Sequence, residues 1–80
     1  MHLSVKDVKA LEGYKLLLTF ENGEVRLLDM KPYLNKGILK GVRDTSMFKS
    51  AKVSFDTVKW ENKADIDPET LYEDSVPYNS

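Results

Sequence analysis

The stretch from Tyr14 to Asp29, Y-K-L-L-L-T-F-E-N-G-E-V-R-L-L-D, constrains the fold more than any other part of the chain. Two apolar-rich runs flank Asn22-Gly23, a pair that accepts the positive φ of a type I′ turn, so the stretch predicts a β-hairpin with a two-residue loop. Such a loop sets the register: Phe20 faces Val25, Leu18 faces Leu27 and Leu16 faces Asp29. Leu16, Leu18, Phe20, Val25 and Leu27 then share one face, which has to bury. The other face pairs Leu17 with Leu28, Thr19 with Arg26 and Glu21 with Glu24. Like charges in the last pair place the tip in solvent.

The segments on either side extend the pattern. Leu3, Val5, Val8, Ala10 and Leu11 change parity between Val5 and Val8, which predicts a bulge near Lys6-Asp7 in a first strand. Glu12-Gly13 turns that strand into the hairpin, giving a three-stranded antiparallel meander. Asp29 then caps a short turn through Met30–Leu34, with Pro32 in its first turn. Gly37 to Val42 reads as a loop whose Ile38, Leu39 and Val42 tuck inward. It is no phosphate loop, since no Gly-Lys-Ser/Thr follows. Asp44 is the N-cap of a short helix over 45–50, anchored by Met47 and Phe48. Lys52 to Trp60 alternates, with Val53 and Phe55 on one face and Val58 and Trp60 on another, so two further strands meet at a turn or bulge at Asp56. Asn62-Lys63 is another turn, and 64–66 a short extended piece. Asp67-Pro68-Glu69 opens a last helix with an N-cap, a first-turn proline and a first-turn carboxylate. Pro77 cannot continue it, so 75–80 are expected to fray. The sum is an α+β class: an antiparallel sheet of about five strands built on the N-terminal meander, with two or three short helices, in one domain over 1–74.

Charge is distributed unevenly beneath a net charge of −1. Over 31–52, Lys31, Lys36, Lys40, Arg43, Lys49 and Lys52 stand against Asp44 alone, whereas 53–80 sets Lys59 and Lys63 against seven carboxylates. One reading is that the two segments neutralise each other across the fold. The other makes Lys36, Lys40, Arg43, Lys49 and Lys52 a partner-binding patch, with Tyr33 or Phe48 as stacking surfaces should the partner be nucleic acid.

No constellation in the chain names a reaction. Cysteine is absent, which removes disulfides, thiolate metal sites and cysteine nucleophiles together. His2 is the one histidine and stands beside Met1, so no nucleophile–base triad can be built on histidine. Asp65, Asp67 and Glu69 suggest a metal site but lack the spacing of a calcium loop, and the start of the last helix accounts for two of them. Trp60 reads as a core residue with its indole N–H on a polar neighbour. No apolar run approaches the roughly 20 residues that cross a bilayer, and the N-terminus has no continuous apolar stretch of the kind a signal peptide needs. These features point to a soluble, cytoplasmic protein with no catalytic, cofactor or metal residues.

At Trp60-x-Asn62-x-x-Asp65-Ile66-x-Pro68-Glu69-x-Leu71-Tyr72 the chain resembles a small bacterial family, the domain of unknown function 2442. Phe20-x-Asn22-Gly23-Glu24, Asp29 and Asp44-x-x-x-Phe48 ahead of Val53 fit the same pattern, so the resemblance covers nearly the whole chain. It implies a curved antiparallel sheet with short helices on one side, and brings no activity. Family members resemble proteins encoded beside small toxin-like partners, and others resemble the N-terminal part of longer chains ending in a helix-turn-helix. The chain departs from the family at Lys63, where glycine is common, which implies a different turn after Asn62. The expectation is a non-enzymatic protein-interaction or regulatory module, antitoxin-like, binding a toxin-like protein or itself. A small nucleic-acid-binding regulator using the basic 31–52 segment is the alternative.

Overall fold

Six strands and two short helices form around one apolar core, and the computed structural model describes residues 3–78. Strands β1 (Val5–Leu11), β2 (Lys15–Phe20) and β3 (Val25–Asp29) make the antiparallel meander. A two-residue strand, β6 (Val76–Pro77), completes a four-stranded sheet in the order β1-β2-β3-β6. Strands β4 (Lys52–Ser54) and β5 (Thr57–Lys59) form a separate two-stranded hairpin. The fold is therefore α+β as expected, but its strands divide between two sheets and do not form one sheet of five.

The central hairpin departs from its expected register by one residue. Gly23 N–H donates to the Phe20 carbonyl, and Phe20 N–H donates to the Glu24 carbonyl, at 2.9 Å each. That is a three-residue loop of a type I turn followed by a left-handed glycine, with Gly23 at φ +90° and Asn22 outside the positive-φ set. Asn22 acts through its side chain, whose Oδ1 accepts from Glu24 N–H at 3.0 Å. The extra loop residue pairs Leu16 with Leu28, Leu17 with Leu27 and Leu18 with Arg26. Because strand side chains alternate, a slip of one exchanges the faces of β3. Leu16, Leu18, Phe20 and Leu28 are buried, while Val25 and Leu27 turn to the outer face and Arg26 turns inward.

A second copy of this turn follows Trp60. Lys63 N–H donates to the Trp60 carbonyl and Trp60 N–H to the Ala64 carbonyl, both at 2.9 Å, while Asn62 Oδ1 accepts from Ala64 N–H at 3.0 Å. Phe-Glu-Asn-Gly-Glu and Trp-Glu-Asn-Lys-Ala thus fold alike. Lys63, at φ +71°, takes the left-handed place that Gly23 takes in the first turn. The lysine does not produce a different turn; it strains the same one.

Local signals elsewhere match the structure. The β1 register shifts between Val5 and Asp7, where the bulge was expected. Asp29 accepts from Lys31 N–H at 3.0 Å ahead of the 3-10 turn Lys31–Tyr33. Asp44 accepts from Ser46 N–H at the start of α1 (Thr45–Phe48), and Asp67 accepts from Glu69 N–H at the start of α2 (Pro68–Glu73). Gly37–Arg43 is a run of 3-10 turns and not an irregular loop. It buries Val42 and half-buries Leu39; the side chain of Ile38 lies outside the described residues. Gly41 sits so close to the Asn62 amide that a Cβ there would stand 2.7 Å from Nδ2, which joins the 3-10 segment to the Trp60 turn.

Trp60 and Phe48 close the core between the sheet and the shorter elements. Trp60 is buried and its indole N–H donates to the Phe48 carbonyl at 3.1 Å. Phe48 in turn meets the edge of Tyr14, with ring centroids 5.3 Å apart. The C-terminal residues differ from expectation. Ser75 is buried, Val76 and Pro77 pair with Leu27 and Arg26, and Tyr78 N–H donates to the Val25 carbonyl at 3.0 Å. Fraying cannot describe 75–78; Asn79 and Ser80 lie outside the described residues.

Candidate functional site

The inward turn of Arg26 builds a polar cluster at the rim of the core. Its Nε donates to Ser75 Oγ at 2.8 Å and its Nη2 to the Ser75 carbonyl at 2.7 Å. The guanidinium carbon lies 4.3 Å from the centre of the Tyr72 ring, and Nη1 is 3.3 Å from Glu24 Oε2. Tyr72 donates its hydroxyl to the same Glu24 carboxylate, within 2.8–2.9 Å of both oxygens. Donors from Asn22, then Tyr72, and then Arg26 hold the Glu24 carboxyl below its ordinary range, while that same acceptor pushes the Tyr72 phenol up. The Arg26 and Glu24 charges face each other, and all three Arg26 nitrogens donate within the group. Its evident work is to fasten α2 and β6 to β3, so that the last strand can add to the sheet. Sequence reasoning missed this cluster because it depends on which face Arg26 takes, and the register decides that.

The five cations expected to bind a partner are all exposed. Lys36 precedes the 3-10 run with its Nζ 6.0 Å from the Tyr33 ring centre, Lys40 and Arg43 lie in the run, Lys49 caps α1 and Lys52 opens β4. Among the described residues none of the five makes a salt bridge. The acidic C-terminal third engages other donors: Asp67 caps α2, and Asp74 accepts from the Tyr33 hydroxyl. Partial burial and that carboxylate push the Tyr33 phenol up to about 12. Asp65 is exposed and bridges to Lys59 through its backbone. Among the described residues no group of three or more histidine, cysteine or acidic side chains is placed to hold a metal ion. His2 lies outside the described residues.

Apolar side chains appear on two surfaces away from the core. The outer face of the sheet carries the row Leu17, Leu27 and Val76, neighbours across β2, β3 and β6, with Val25 beside it. Val76 is 58% exposed and Val25 37%, and among the described residues none of the four belongs to the buried core or is packed against it. The second surface is the β4–β5 turn, where Phe55 is 99% exposed at φ +57°. A cleft of about 580 Å³ runs beside it, lined by Asp56, Thr57, Lys59, Asp65, Asp67 and Pro68 among others. At the far end of β1, two smaller depressions of about 300 and 270 Å³ flank Tyr14.

These features define a small α+β domain whose distinctive surfaces are an apolar row on the outer sheet face, a protruding aromatic tip and a run of exposed cations. The family model described as protein of unknown function (DUF2442) matches residues 5–77, and the chain belongs to that family. No curated protein and no solved structure matches it. Among the described residues no helix is long and apolar enough to cross a membrane.

Proposed function

We propose that the domain is a non-enzymatic interaction module of a regulatory, antitoxin-like pair, docking a toxin-like protein through the outer face of its sheet. The observation that carries this reading is the Leu17–Leu27–Val76 row, where three apolar side chains from three strands line up outside the core. Val76 is exposed and Leu17 and Leu27 are half-exposed, and contiguous apolar surface of this kind is retained where a partner covers it. The sheet edges are less suited to docking. On one side β6 is only two residues long and ends in Pro77, which has no N–H to give an added strand. On the other side Val5 N–H of β1 already donates to the Asp56 carbonyl. A face-on partner with a matching apolar surface fits better than an added strand.

The test is titration calorimetry of the domain against the product of its neighbouring gene in the native host, with wild type and Leu27→Lys. Leu27 is outside the core, so the variant should keep its melting temperature while its affinity falls at least about tenfold. No binding by the wild type, or equal binding by Leu27→Lys, would overturn the reading. A second reading, a nucleic-acid-binding regulator, is supported by the unbridged cations Lys36, Lys40, Arg43, Lys49 and Lys52. It requires duplex affinity that falls steeply with salt and is lost in Lys40→Glu/Arg43→Glu.

A further inference from the structure

Phe55 is the least expected side chain in the structure. It occupies the first loop position of a two-residue turn between paired Ser54 and Thr57, at φ +57°, where glycine is the usual residue. A bulky side chain held in the left-handed region persists only when its surroundings impose it, and such outliers gather where a side chain is put to use. The surroundings here are firm. Asp56 O accepts from Val5 N–H at 3.3 Å, and the Thr57 hydroxyl donates to the Ile66 carbonyl. The hairpin is therefore tied to β1 and to the approach to α2, and its ring is presented to solvent on a fixed stem.

The complementary hollow is on the same chain. The depression of about 300 Å³ beside Tyr14 is floored by Leu11, Tyr14 and Phe48 and rimmed by Glu12, Thr45 and Lys49. Phe55 stands at the Val5 end of β1, and this hollow at the Leu11 end. Seven residues of strand separate them by about 20 Å, so one copy cannot fill its own hollow. The charges around the two ends are opposite. Exposed Asp65 and Asp67 line the cleft beside Phe55, with Lys59 across from them. Lys31, Arg43 and Lys49, against Glu12, line the two depressions flanking Tyr14.

We propose that Phe55 of one copy inserts into the Tyr14–Phe48 hollow of a second copy, joining the chains head to tail. This goes beyond the docking of a different protein on the sheet face, since it uses neither Leu27 nor Val76. A knob at one end and a hole at the other make a heterologous contact, which closes into a ring or continues as an open string. The opposed charges orient the approach and make the association salt-sensitive.

Sedimentation equilibrium of the full chain across a wide concentration range tests this. The wild type should exceed the monomer mass as concentration rises, and less so at high salt. Phe55→Ser removes the knob, and Thr45→Trp fills the mouth of the hollow from an exposed position; each should stay monomeric while melting as a folded domain. Mixed together they should form one-to-one dimers and nothing larger, because one supplies the hollow and the other the knob. Leu27→Lys should associate as the wild type does. A wild type that stays monomeric at the highest concentration, self-association undiminished in Phe55→Ser, or a mixture that stays monomeric would overturn the proposal. Loss of toxin-like partner binding in Leu27→Lys, with self-association intact, separates this contact from the sheet-face reading.

Discussion

The paired turns after Phe20 and Trp60 allow a clean exchange. Their backbone hydrogen bonds and Asn side-chain bonds are the same, and the left-handed position holds Gly23 in one and Lys63 in the other. A non-glycine residue in that region is strained by about 1–2 kcal/mol. Putting glycine there relieves the strain but loosens the unfolded chain, which returns about 0.4–1 kcal/mol of the gain. Lys63 is exposed, and its side chain makes no hydrogen bond or ion pair among the described residues, so nothing else is lost. Lys63→Gly should stabilise the domain by about 0.5–1 kcal/mol, which for a chain of this size raises Tm by roughly 2–8 °C. Gly23→Lys should lower stability by a similar amount, and the double exchange should nearly cancel, because the turns lie in different hairpins. Thermal unfolding followed by circular dichroism, with denaturant melts for the free energies, reads all three. If Lys63→Gly leaves Tm unchanged or lowers it, the turn is not strained by its lysine and the argument fails.

Two further expectations address the core and the C-terminal third. Trp60→Ala removes the largest fully buried side chain and takes from the Phe48 carbonyl one of its two donors, so it should destabilise by about 3–5 kcal/mol in a denaturant melt. For a domain of this length that is a large share of the total, and the variant should be partly unfolded at ordinary temperature. Tyr33 tests pH linkage: its phenol is raised from 10.0 to about 12, so its contribution is complete below pH 10 and is lost as pH rises through about 12. Ultraviolet titration should find Tyr33 ionising late, with Tyr72 also shifted up by Glu24, and Asp74→Asn should bring only the Tyr33 step earlier; an unchanged titration would refute the contact.

Much of this molecule was legible without coordinates, and the legible parts share a cause. Asp44, Asp67 and Asp29 act on N–H groups two residues away, so their capping is written in local spacing. The bulge at Lys6, the positions of the first three strands and the indole bond of Trp60 also follow from short-range pattern or from the chemistry of one side chain. The central register was not legible, because Asn-Gly serves both a two-residue loop and a three-residue loop ending in a left-handed glycine. That single residue decided the face of Arg26, and with it the Glu24–Tyr72–Ser75 cluster.

The amino-acid sequence by itself determined an α+β domain with a meander at its start, capped helices and a buried tryptophan, since each rests on propensities acting over a few residues. Only the tertiary structure decided that Val25 and Leu27 face outward and that 76–77 add a strand beside β3. It also set Phe55 and the Tyr14 hollow at opposite ends of β1. The physical reason is distance along the chain: Arg26 meets Ser75 forty-nine residues away. Contacts of that separation are chosen by packing and register, which no local pattern encodes.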